Sequence, residues 1–252
     1  MSIENFENIP LSTSEFSTAG RVNFNACASN DYPTNEAFKT LRSNILFCGT
    51  DKKVILITST IENEGKSTIA TELSKSLSEI NKKTLLIDAD MRKSVILRRN
   101  LKTQGILGLS ELLSGQATIS QVLYNTQMPN FDVIFSGHFP PNPVELLSGD
   151  TFKEVLDKFK SVYDYIIIDS PPLGPVIDAA VISVNCDGAI MVIASNKAKS
   201  QDIVSVKEQL LKSGCDIIGV VLNESDSRHS INSRYHKSHY GYYGKDNKRR
   251  KR

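Results

Sequence analysis

The chain has 252 residues, of which 40% are hydrophobic and 23% are charged, and its formal net charge is +2. This composition is ordinary for a soluble globular protein, the length suits one large α/β domain, and the small net charge indicates no particular partner. The four cysteines are scattered and form no CxxC pair, so we expect reduced thiols and no metal site at Cys27, Cys48, Cys186 and Cys215.

The sequence predicts no membrane-spanning segment and no signal peptide. Its longest apolar runs are strand-sized, well below the roughly 18 to 20 residues that a span requires. The N-terminus carries acidic residues and no apolar core segment. We therefore expect a cytoplasmic protein that contacts a membrane only through a partner or a surface patch.

The first part of the chain divides into a polar leader and a helix. Residues 1–32 are rich in Ser, Thr, Asn and Glu, which predicts a mobile leader. From Pro33 onward apolar residues recur at helical spacing, and Thr34 or Asn35 is placed to cap a helix. This pattern predicts a helix over 34–48.

Buried strands then alternate with helices up to about residue 227. The strands are predicted at 53–59, 84–90, 131–137, 163–172, 187–195 and 216–223, and the helices at 66–80, 145–161, 176–184 and 199–213. Residues 91–130 are less regular, with short helices around 108–115. Strands that are apolar on both faces and alternate with helices indicate a mostly parallel sheet covered by helices on both faces. We therefore predict an α/β, P-loop NTPase-like domain over 33–227.

A phosphate-binding motif follows the first of these strands. The segment TIENEGKST, residues 60–68, stands between a strand and a helix, as the P-loop pattern GxxxxGK[ST] requires, but Thr60 holds the first Gly position of that pattern. Asn63 stands where a Gly is common in related loops, and Asn tolerates positive φ better than most residues. Backbone N–H groups at a helix N-terminus suit phosphate oxygens, and the motif's Lys and Ser suit the terminal phosphates and magnesium. The predicted nucleotide-binding residues are Thr60, Glu62, Asn63, Glu64, Gly65, Lys66, Ser67 and Thr68.

Acidic residues end two of the predicted strands. Asp88 and Asp90 follow the apolar run of 84–87, and Asp169 follows 165–168. The carboxyl ends of parallel strands meet at one edge of a sheet, so we expect all three carboxylates near the P-loop. Together with the Ser67 hydroxyl they predict a site for Mg²⁺ and ATP.

The end of the chain, residues 228–252, is polar and basic and is predicted to be a flexible tail. It carries nine Lys or Arg residues against one acidic residue. Interleaved bases and aromatics are also typical of a nucleic-acid-binding arm, but the nucleotide-site motifs favour another use, and we expect no nucleic acid partner. Four of the eight tyrosines of the chain lie in this tail, at Tyr235, Tyr240, Tyr242 and Tyr243.

These motifs together resemble the bacterial tyrosine kinases (BY-kinases), specifically the cytoplasmic kinase unit of capsule and exopolysaccharide systems. The resemblance covers about residue 33 to the C-terminus. It rests on ENEGKST (62–68), LLIDADMRKS (85–94), GHFPPNPVELL (137–147), YIIIDSPP (165–172) and the tyrosine cluster. In addition, NEAFKTLRSNI (35–45) is similar to the oligomerisation helix of that family, with Glu36, Lys39 and Arg42 at its E-x-x-R-x-x-R spacing.

The resemblance implies an ATP-dependent protein-tyrosine autokinase that regulates polysaccharide synthesis and export. It makes Lys66, Asp88 and Asp90 the catalytic residues, with Asp88 as the base that orients the phenol. Ser67, Asp90 and Asp169 would act on magnesium, and the four tail tyrosines would accept phosphate from a neighbour in a homo-oligomeric ring. A separate membrane adaptor that recruits the kinase to the inner face of the membrane is the implied activator. A tyrosine phosphatase and polysaccharide-synthesis proteins are further implied partners.

The chain departs from the family pattern at three places. Lys39 replaces the middle Arg of the helix motif and loses bidentate pairing, Ser94 replaces a usual Pro, and residues 62–63 replace a usual Pro-Gly. Two alternatives therefore stay open. A Min- or Par-type partitioning ATPase shares this fold but carries a signature Lys where this chain has Ile61. A nucleotide-binding scaffold with little catalysis is the other.

Overall fold

The computed structural model of the chain describes residues 18–24, 32–100 and 106–225. The described strands are β1 (Gly20–Val22), β2 (Val54–Ser59), β3 (Thr84–Asp88), β4 (Leu123–Thr126), β5 (Phe131–Ile134), β6 (Tyr165–Asp169), β7 (Gly188–Ala194) and β8 (Ile217–Asn223). The described helices are α1 (Tyr32–Phe47), α2 (Lys66–Ser78), α3 (Val95–Asn100), α4 (Leu109–Leu113), α5 (Ile119–Val122), α6 (Pro143–Ser148), α7 (Asp150–Lys160), α8 (Asp178–Ser183) and α9 (Ser200–Lys212).

The described strands form one sheet in the order β1-β4-β5-β3-β6-β2-β7-β8. Neighbouring strands from β5 to β8 are parallel, whereas β4 pairs antiparallel with β5, and β1 is parallel to β4. The parallel part therefore ends at one edge after β2, β3 and β6, which are the strands that precede the predicted phosphate and acidic motifs.

Helices cover both faces of this sheet. The apolar face of α2 packs with α1 and α3 on one face. Helices α4 to α9 pack on the other face through a second, larger cluster of buried side chains. The central strands β2, β3 and β6 are buried along their whole length because they are covered on both sides. This arrangement is the α/β fold that the alternation of strands and helices predicted.

Local differences from the prediction have local causes. The helix predicted over 145–161 is two helices, because Gly149 between them has extended backbone (φ −72°, ψ 154°). Strand β4 was not predicted, because four residues with partly exposed Tyr124 and Asn125 give too short a pattern to separate from a loop.

Strand β1 lies inside the segment that was predicted to be a mobile leader, so that prediction does not hold for residues 18–24. Phe24 is buried there between Phe131 and Phe135. The side-chain amide of Gln127 also bonds both the N–H and the carbonyl of Phe24, at 2.7 and 2.6 Å. These are tertiary contacts with residues about a hundred positions away, and the composition of the segment does not predict such contacts. Residues 1–17 and 25–31 lie outside the described residues.

No helix among the described residues combines the length and the apolar character that crossing a bilayer demands. The predicted tail, residues 228–252, and Cys27 lie outside the described part of the chain.

Candidate nucleotide and phosphotransfer site

A cavity of about 360 Å³ lies at the edge of the sheet where β2, β3 and β6 end. Six of the eight predicted nucleotide-binding residues line it: Glu62, Asn63, Gly65, Lys66, Ser67 and Thr68. Asp90, residues 92–99 in part, the turn after β6 and the end of β8 also contribute to its wall. The tertiary structure thus brings most of the predicted phosphate-binding motif to one concave surface, as a buried nucleotide requires.

The P-loop owes its shape to two residues in the left-handed region. Asn63 has a φ of 62°, which confirms that an asparagine takes the conformation expected there of glycine. Gly65 has a φ of 92°, and a Cβ at this position would lie 2.1 Å from Nδ2 of Asn223. Only glycine meets both requirements, so the loop can present its N–H groups at the start of α2.

Glu64 and Thr60 hold the loop from behind. Oε2 of Glu64 accepts from the N–H groups of Thr60 (2.8 Å) and Ile61 (2.9 Å), and Oε1 accepts from Ala194 N–H (3.1 Å). Glu64 and Thr60 are fully buried and do not line the cavity, so a predicted contact with nucleotide would have to come from their backbone. The Glu64 side chain is a brace that ties the loop to β7.

Lys66 and Asp90 form the charged pair of the cavity. Nζ of Lys66 lies 3.4 Å from Oδ2 of Asp90, and Lys66 is only 8% exposed. Burial opposes the charge of the ammonium, but the carboxylates of Asp169 and Asp90 outweigh it and raise the pKa of Lys66. Oδ1 of Asp90 accepts from the backbone N–H of Lys93 at 2.9 Å. Lys66 is therefore held as a cation that faces the space for phosphate.

Asp169 fits a role at a metal ion. It is fully buried behind the cavity lining, and neither of its carboxylate oxygens makes a hydrogen bond of regular geometry with a described residue, although the Ser67 hydroxyl and the Lys66 ammonium are close enough to lower its pKa. Burial raises its pKa to about 6, against the effect of the Lys66 ammonium. A buried carboxylate without a partner is costly unless a cation or a proton satisfies it.

The surrounding donors suit Mg²⁺. Within the described residues, no three His, Cys, Asp or Glu side chains alone enclose a metal ion. Mg²⁺ is usually bound by one or two carboxylates, waters and substrate phosphates. The carboxylates of Asp90 and Asp169 and the hydroxyl of Ser67 are ligands of this kind.

Asp88 lies behind the cavity wall rather than in it. It stands opposite Asp169 in the paired strands β3 and β6 and is fully buried. Its Oδ1 accepts from Asp90 N–H (3.2 Å), and its Oδ2 accepts from the Ser94 hydroxyl. Burial and the Asp169 charge raise its pKa to about 8. The side chain of Asp90 therefore lines the cavity, whereas the side chain of Asp88 lies behind it and bonds the backbone of Asp90.

Sequence reasoning missed the cations that surround the cavity mouth. Arg92 forms a bidentate pair with Asp178, whose carboxylate is fully buried (2.8 and 3.0 Å). Arg98 and Arg99 of α3 also line the cavity. The run of bases in MRKSVILRR was the available signal, since bases on a strand-to-helix connection at this edge suit phosphate.

The predicted oligomerisation residues of α1 divide into two groups. Glu36 and Lys39 are exposed and pair with each other at 2.8 Å. Arg42 is 14% exposed in its side chain and donates to the carbonyl of Ser76 in the last turn of α2, at 2.6 Å. The structure thus leaves the first two at the surface and binds the third to its own protomer. The predicted phosphate acceptors Tyr235, Tyr240, Tyr242 and Tyr243 lie outside the described residues.

Comparisons with known proteins agree with this geometry. A family model described as an AAA domain matches residues 52–213. The tyrosine-protein kinase CpsD of Streptococcus agalactiae is 41% identical over 218 residues, which cover 86% of this chain and 93% of that protein. The solved structure of the chimerical protein CapA2B2 has a TM-score of 0.74 at 32% identity, and the match covers 82% of this chain and 94% of that one.

A more distant likeness bears on the fold class. The septum site-determining protein MinD from Pyrococcus horikoshii, complexed with Mg-ADP, has a TM-score of 0.57 at 25% identity, covering 69% of this chain and 72% of that one. Together with the family model, it confirms the predicted P-loop NTPase fold.

Proposed function

This chain belongs to the family of bacterial tyrosine-protein kinases that includes CpsD, and we propose that it uses ATP and Mg²⁺ to phosphorylate its own C-terminal tyrosines. The acceptors in this proposal are Tyr235, Tyr240, Tyr242 and Tyr243. The observation that carries the proposal is the cavity in which the P-loop Lys66 meets Asp90. The Asp169 carboxylate lies buried at the same edge, without a hydrogen bond of regular geometry from a described residue.

The residues of the cavity suit phosphoryl transfer, which depends on positioning and charge stabilisation more than on covalent chemistry. The N–H groups from Asn63 to Thr68 bind phosphate oxygens, and Lys66 compensates charge on the terminal phosphate. Ser67, Asp90 and Asp169 would hold Mg²⁺, and the bound ion would supply charge neutralisation at the phosphate oxygens.

The proposed base is Asp88, and Asp90 is the proposed metal contact. Asp88 must become accessible to the phenol when nucleotide binds, because it is fully buried in this structure. Each of its oxygens accepts one hydrogen bond here, from Asp90 N–H and from the Ser94 hydroxyl, and a carboxylate oxygen can accept a second one from the phenol. We expect Asp88→Asn to lower kcat about a hundredfold, the range of general-base loss, and to leave the Kd for Mg-ADP within about threefold. We expect Asp90→Asn to weaken Mg-ADP binding by about tenfold, as measured by calorimetry. If Asp88→Asn weakened Mg-ADP binding and Asp90→Asn lowered only kcat, Asp90 would be the base and Asp88 the metal contact.

The wider biological role rests on the family. We propose that protomers assemble into a ring through α1 and phosphorylate one another, and that the activity regulates capsule or exopolysaccharide synthesis. The exposed Glu36–Lys39 pair is available for such contacts. The likeness to the chimerical protein CapA2B2 supports a second chain as partner, and we propose that this is a membrane adaptor that recruits the kinase to the inner face of the membrane.

One experiment tests the activity directly. The protein is incubated with Mg-ATP, and phosphorylation is mapped by mass spectrometry for the wild type, Lys66→Met and the control Lys75→Met. Lys75 lies on the same helix α2 but does not line the cavity. We expect phosphotyrosine within 235–243 in the wild type and the control, and none in Lys66→Met.

The other outcomes separate the alternatives. Release of inorganic phosphate without tyrosine modification would indicate a partitioning-type ATPase. Nucleotide binding with neither product, also after addition of the adaptor chain, would indicate a scaffold.

A further inference from the structure

A second cavity, of about 470 Å³, lies beside the first residues of the P-loop. Its walls are Thr60, Ile61 and Glu62 of the loop, the turn Gly174–Pro175 and one face of α9. It shares Glu62 and Pro175 with the nucleotide cavity, so the two spaces adjoin at the entrance of the P-loop. We call it the side cavity. The proposed phosphoryl transfer does not use the side cavity.

One face of α9 supplies most of the polar groups of the side cavity. Asp202, Ser205, Val206 and Gln209 follow the i, i+3, i+4, i+7 spacing of a single helix face, and all four line the cavity. Val206 is buried and the three polar residues are exposed. Asp202 forms no salt bridge with any residue in the described ranges.

The charged residues that line the side cavity are all acidic. Its two charged side chains among the described residues are the carboxylates of Glu62 and Asp202. Glu62 already pairs with Lys93 at 2.5 Å, on the side of the nucleotide cavity. The Asp202 carboxylate therefore has no cationic partner across the side cavity.

The loop contributes one apolar side chain to the side cavity, at a position where a relative class has a basic one. Ile61 occupies the position of the signature Lys of Min- and Par-type ATPases. A lysine there would supply a cation to the cavity that Asp202 also lines, whereas isoleucine supplies apolar surface, as Val206 does. The buried hydroxyl of Thr60, which also lines this cavity, has no hydrogen-bond partner within the described part of the chain. An acid with an apolar wall suits a Lys or Arg side chain, which packs its aliphatic stem on apolar surface and directs its charge to a carboxylate.

We propose that the side cavity is the subsite for the basic residue that flanks an acceptor tyrosine in segment 234–245 of this chain. This inference rests on the proposed function, since it places the acceptor beside the terminal phosphate. The segment has the matching chemistry: Arg234 adjoins Tyr235, Lys237 follows it by two positions, and Lys245 follows Tyr243 by two positions. A tyrosine at the nucleotide cavity can thus place a base in the adjoining space.

A charge reversal at Asp202 tests the subsite in the full chain. We expect Asp202→Lys to lower the initial rate of tail phosphorylation about fivefold, since an exposed attractive pair becomes repulsive. The Kd for Mg-ADP stays unchanged, because Asp202 does not line the nucleotide cavity. Glu208→Lys is the matched control: it makes the same change on α9 at a position outside the side cavity and leaves the rate within about twofold.

A compensating reversal makes the test specific. The tail variant Arg234→Glu/Lys237→Glu/Lys245→Glu lowers the rate in the wild-type background, and its combination with Asp202→Lys restores the rate to within about twofold of the wild type. Restoration identifies Asp202 as the partner of the tail bases. If the two losses simply multiply, the proposal is wrong.

A binding measurement separates this inference from the kinase activity. A labelled peptide of residues 231–247, with its four tyrosines changed to phenylalanine, is titrated against the full chain with Mg-ADP and followed by fluorescence anisotropy. We expect Asp202→Lys to raise the Kd about fivefold and Glu208→Lys to leave it unchanged. Equal Kd values for all three proteins would refute the subsite even where tyrosines are phosphorylated. Absence of phosphotyrosine with the expected Kd pattern would refute only the proposed activity.

Discussion

At the scale of single residues, Ser94 shows how one departure from a family pattern acquires a structural role. Its hydroxyl donates to Oδ2 of Asp88 and accepts from the N–H of Leu97 at 2.9 Å, so it orients the buried carboxylate and caps the first turn of α3. A proline at this position could do neither, because it has no hydroxyl. The chain therefore supports Asp88 by a contact that the resemblance did not imply.

We predict that Ser94→Ala lowers the free energy of unfolding by about 1 kcal/mol, the usual loss for a helix cap. It also lowers kcat for tail phosphorylation more than it raises the KM for ATP, because Asp88 loses its orienting donor. Urea denaturation and initial-rate kinetics measure the two effects. Ser148→Ala is the control, because Ser148 is an exposed serine of α6 whose hydroxyl, among the described residues, bonds only its own helix. An equal loss of stability in both variants would contradict the capping role.

At the scale of elements, the P-loop depends on contacts with strands that are distant in sequence. Glu64 closes the loop on itself and on the end of β7, and Asn223 at the end of β8 donates to the Glu64 carbonyl at 2.9 Å. The loop conformation is thus fixed by the sheet rather than by the nine residues of the motif alone.

We predict that Glu64→Gln lowers the free energy of unfolding by about 2 kcal/mol and weakens Mg-ADP binding. The reason is that an amide presents N–H groups where the carboxylate accepts three backbone N–H groups, and a buried donor is left unsatisfied. Glu62→Gln, the same change at an exposed loop residue, has a much smaller effect on the free energy of unfolding. Thermal unfolding with and without Mg-ADP gives both quantities, and similar losses for the two variants would contradict the bracing role.

Helix α1 is attached to the P-loop helix through Arg42, and its predicted motif therefore combines two functions. Arg42 bonds a carbonyl in the last turn of α2, where cations are favourable, whereas Glu36 and Lys39 face solvent. Removal of Arg42 should loosen α1 within one protomer, and removal of the other two should affect only contacts between protomers.

We predict that Arg42→Ala lowers the free energy of unfolding by about 1 to 2 kcal/mol, since a largely buried charge-assisted hydrogen bond is lost. Glu36→Ala and Lys39→Ala change it by less than about 0.5 kcal/mol and weaken only the oligomer. Chemical denaturation measures stability and analytical ultracentrifugation measures assembly. Unchanged stability in Arg42→Ala would show that the residue acts only between protomers.

At the scale of the whole molecule, stability depends on the acids that converge at the end of the sheet. Asp88 and Asp169 stand opposite each other in β3 and β6, and burial raises the pKa of both, to about 8 and about 6. An unfolded Asp has a pKa of about 3.9, so between these values the folded, metal-free protein binds more protons than the unfolded chain. The buried acids of the nucleotide site therefore lower the free energy of unfolding of the metal-free protein, and this effect increases with pH.

We predict that the free energy of unfolding of the metal-free protein falls as the pH rises from about 5 to about 8, because the folded state loses protons that the unfolded chain has already released. Asp169→Asn removes one of the two titrating carboxyl groups. The decrease in the free energy of unfolding over this pH range is therefore smaller in the variant, by about 1 kcal/mol or more. Urea denaturation in EDTA across this range measures the effect. Mg-ADP should flatten the fall in the wild type as well, since the ion compensates the carboxylates. A parallel pH dependence in wild type and variant would contradict the linkage.

The sequence by itself determined the elements whose signals are local and repeated. Apolar runs such as 54–57 and 165–168 predicted the buried strands, and the GKST run with a strand before it predicted the P-loop at the start of α2. Topology then required Asp88, Asp90 and Asp169 to meet at one edge, because parallel strands end together. Asn63 was predicted to accept a positive φ, and it does.

The tertiary structure decided what depends on contacts between distant parts of the chain. It placed Glu64 behind the loop and Asp88 behind Asp90, and it bound Arg42 to α2. It also added β1 to the sheet and opened the side cavity against α9. Each outcome is set by a hydrogen bond, an ion pair or a packing contact with a residue far along the chain. Periodicity and motif spacing report only near neighbours, so they identified the residue types of the site but not the direction in which each side chain acts.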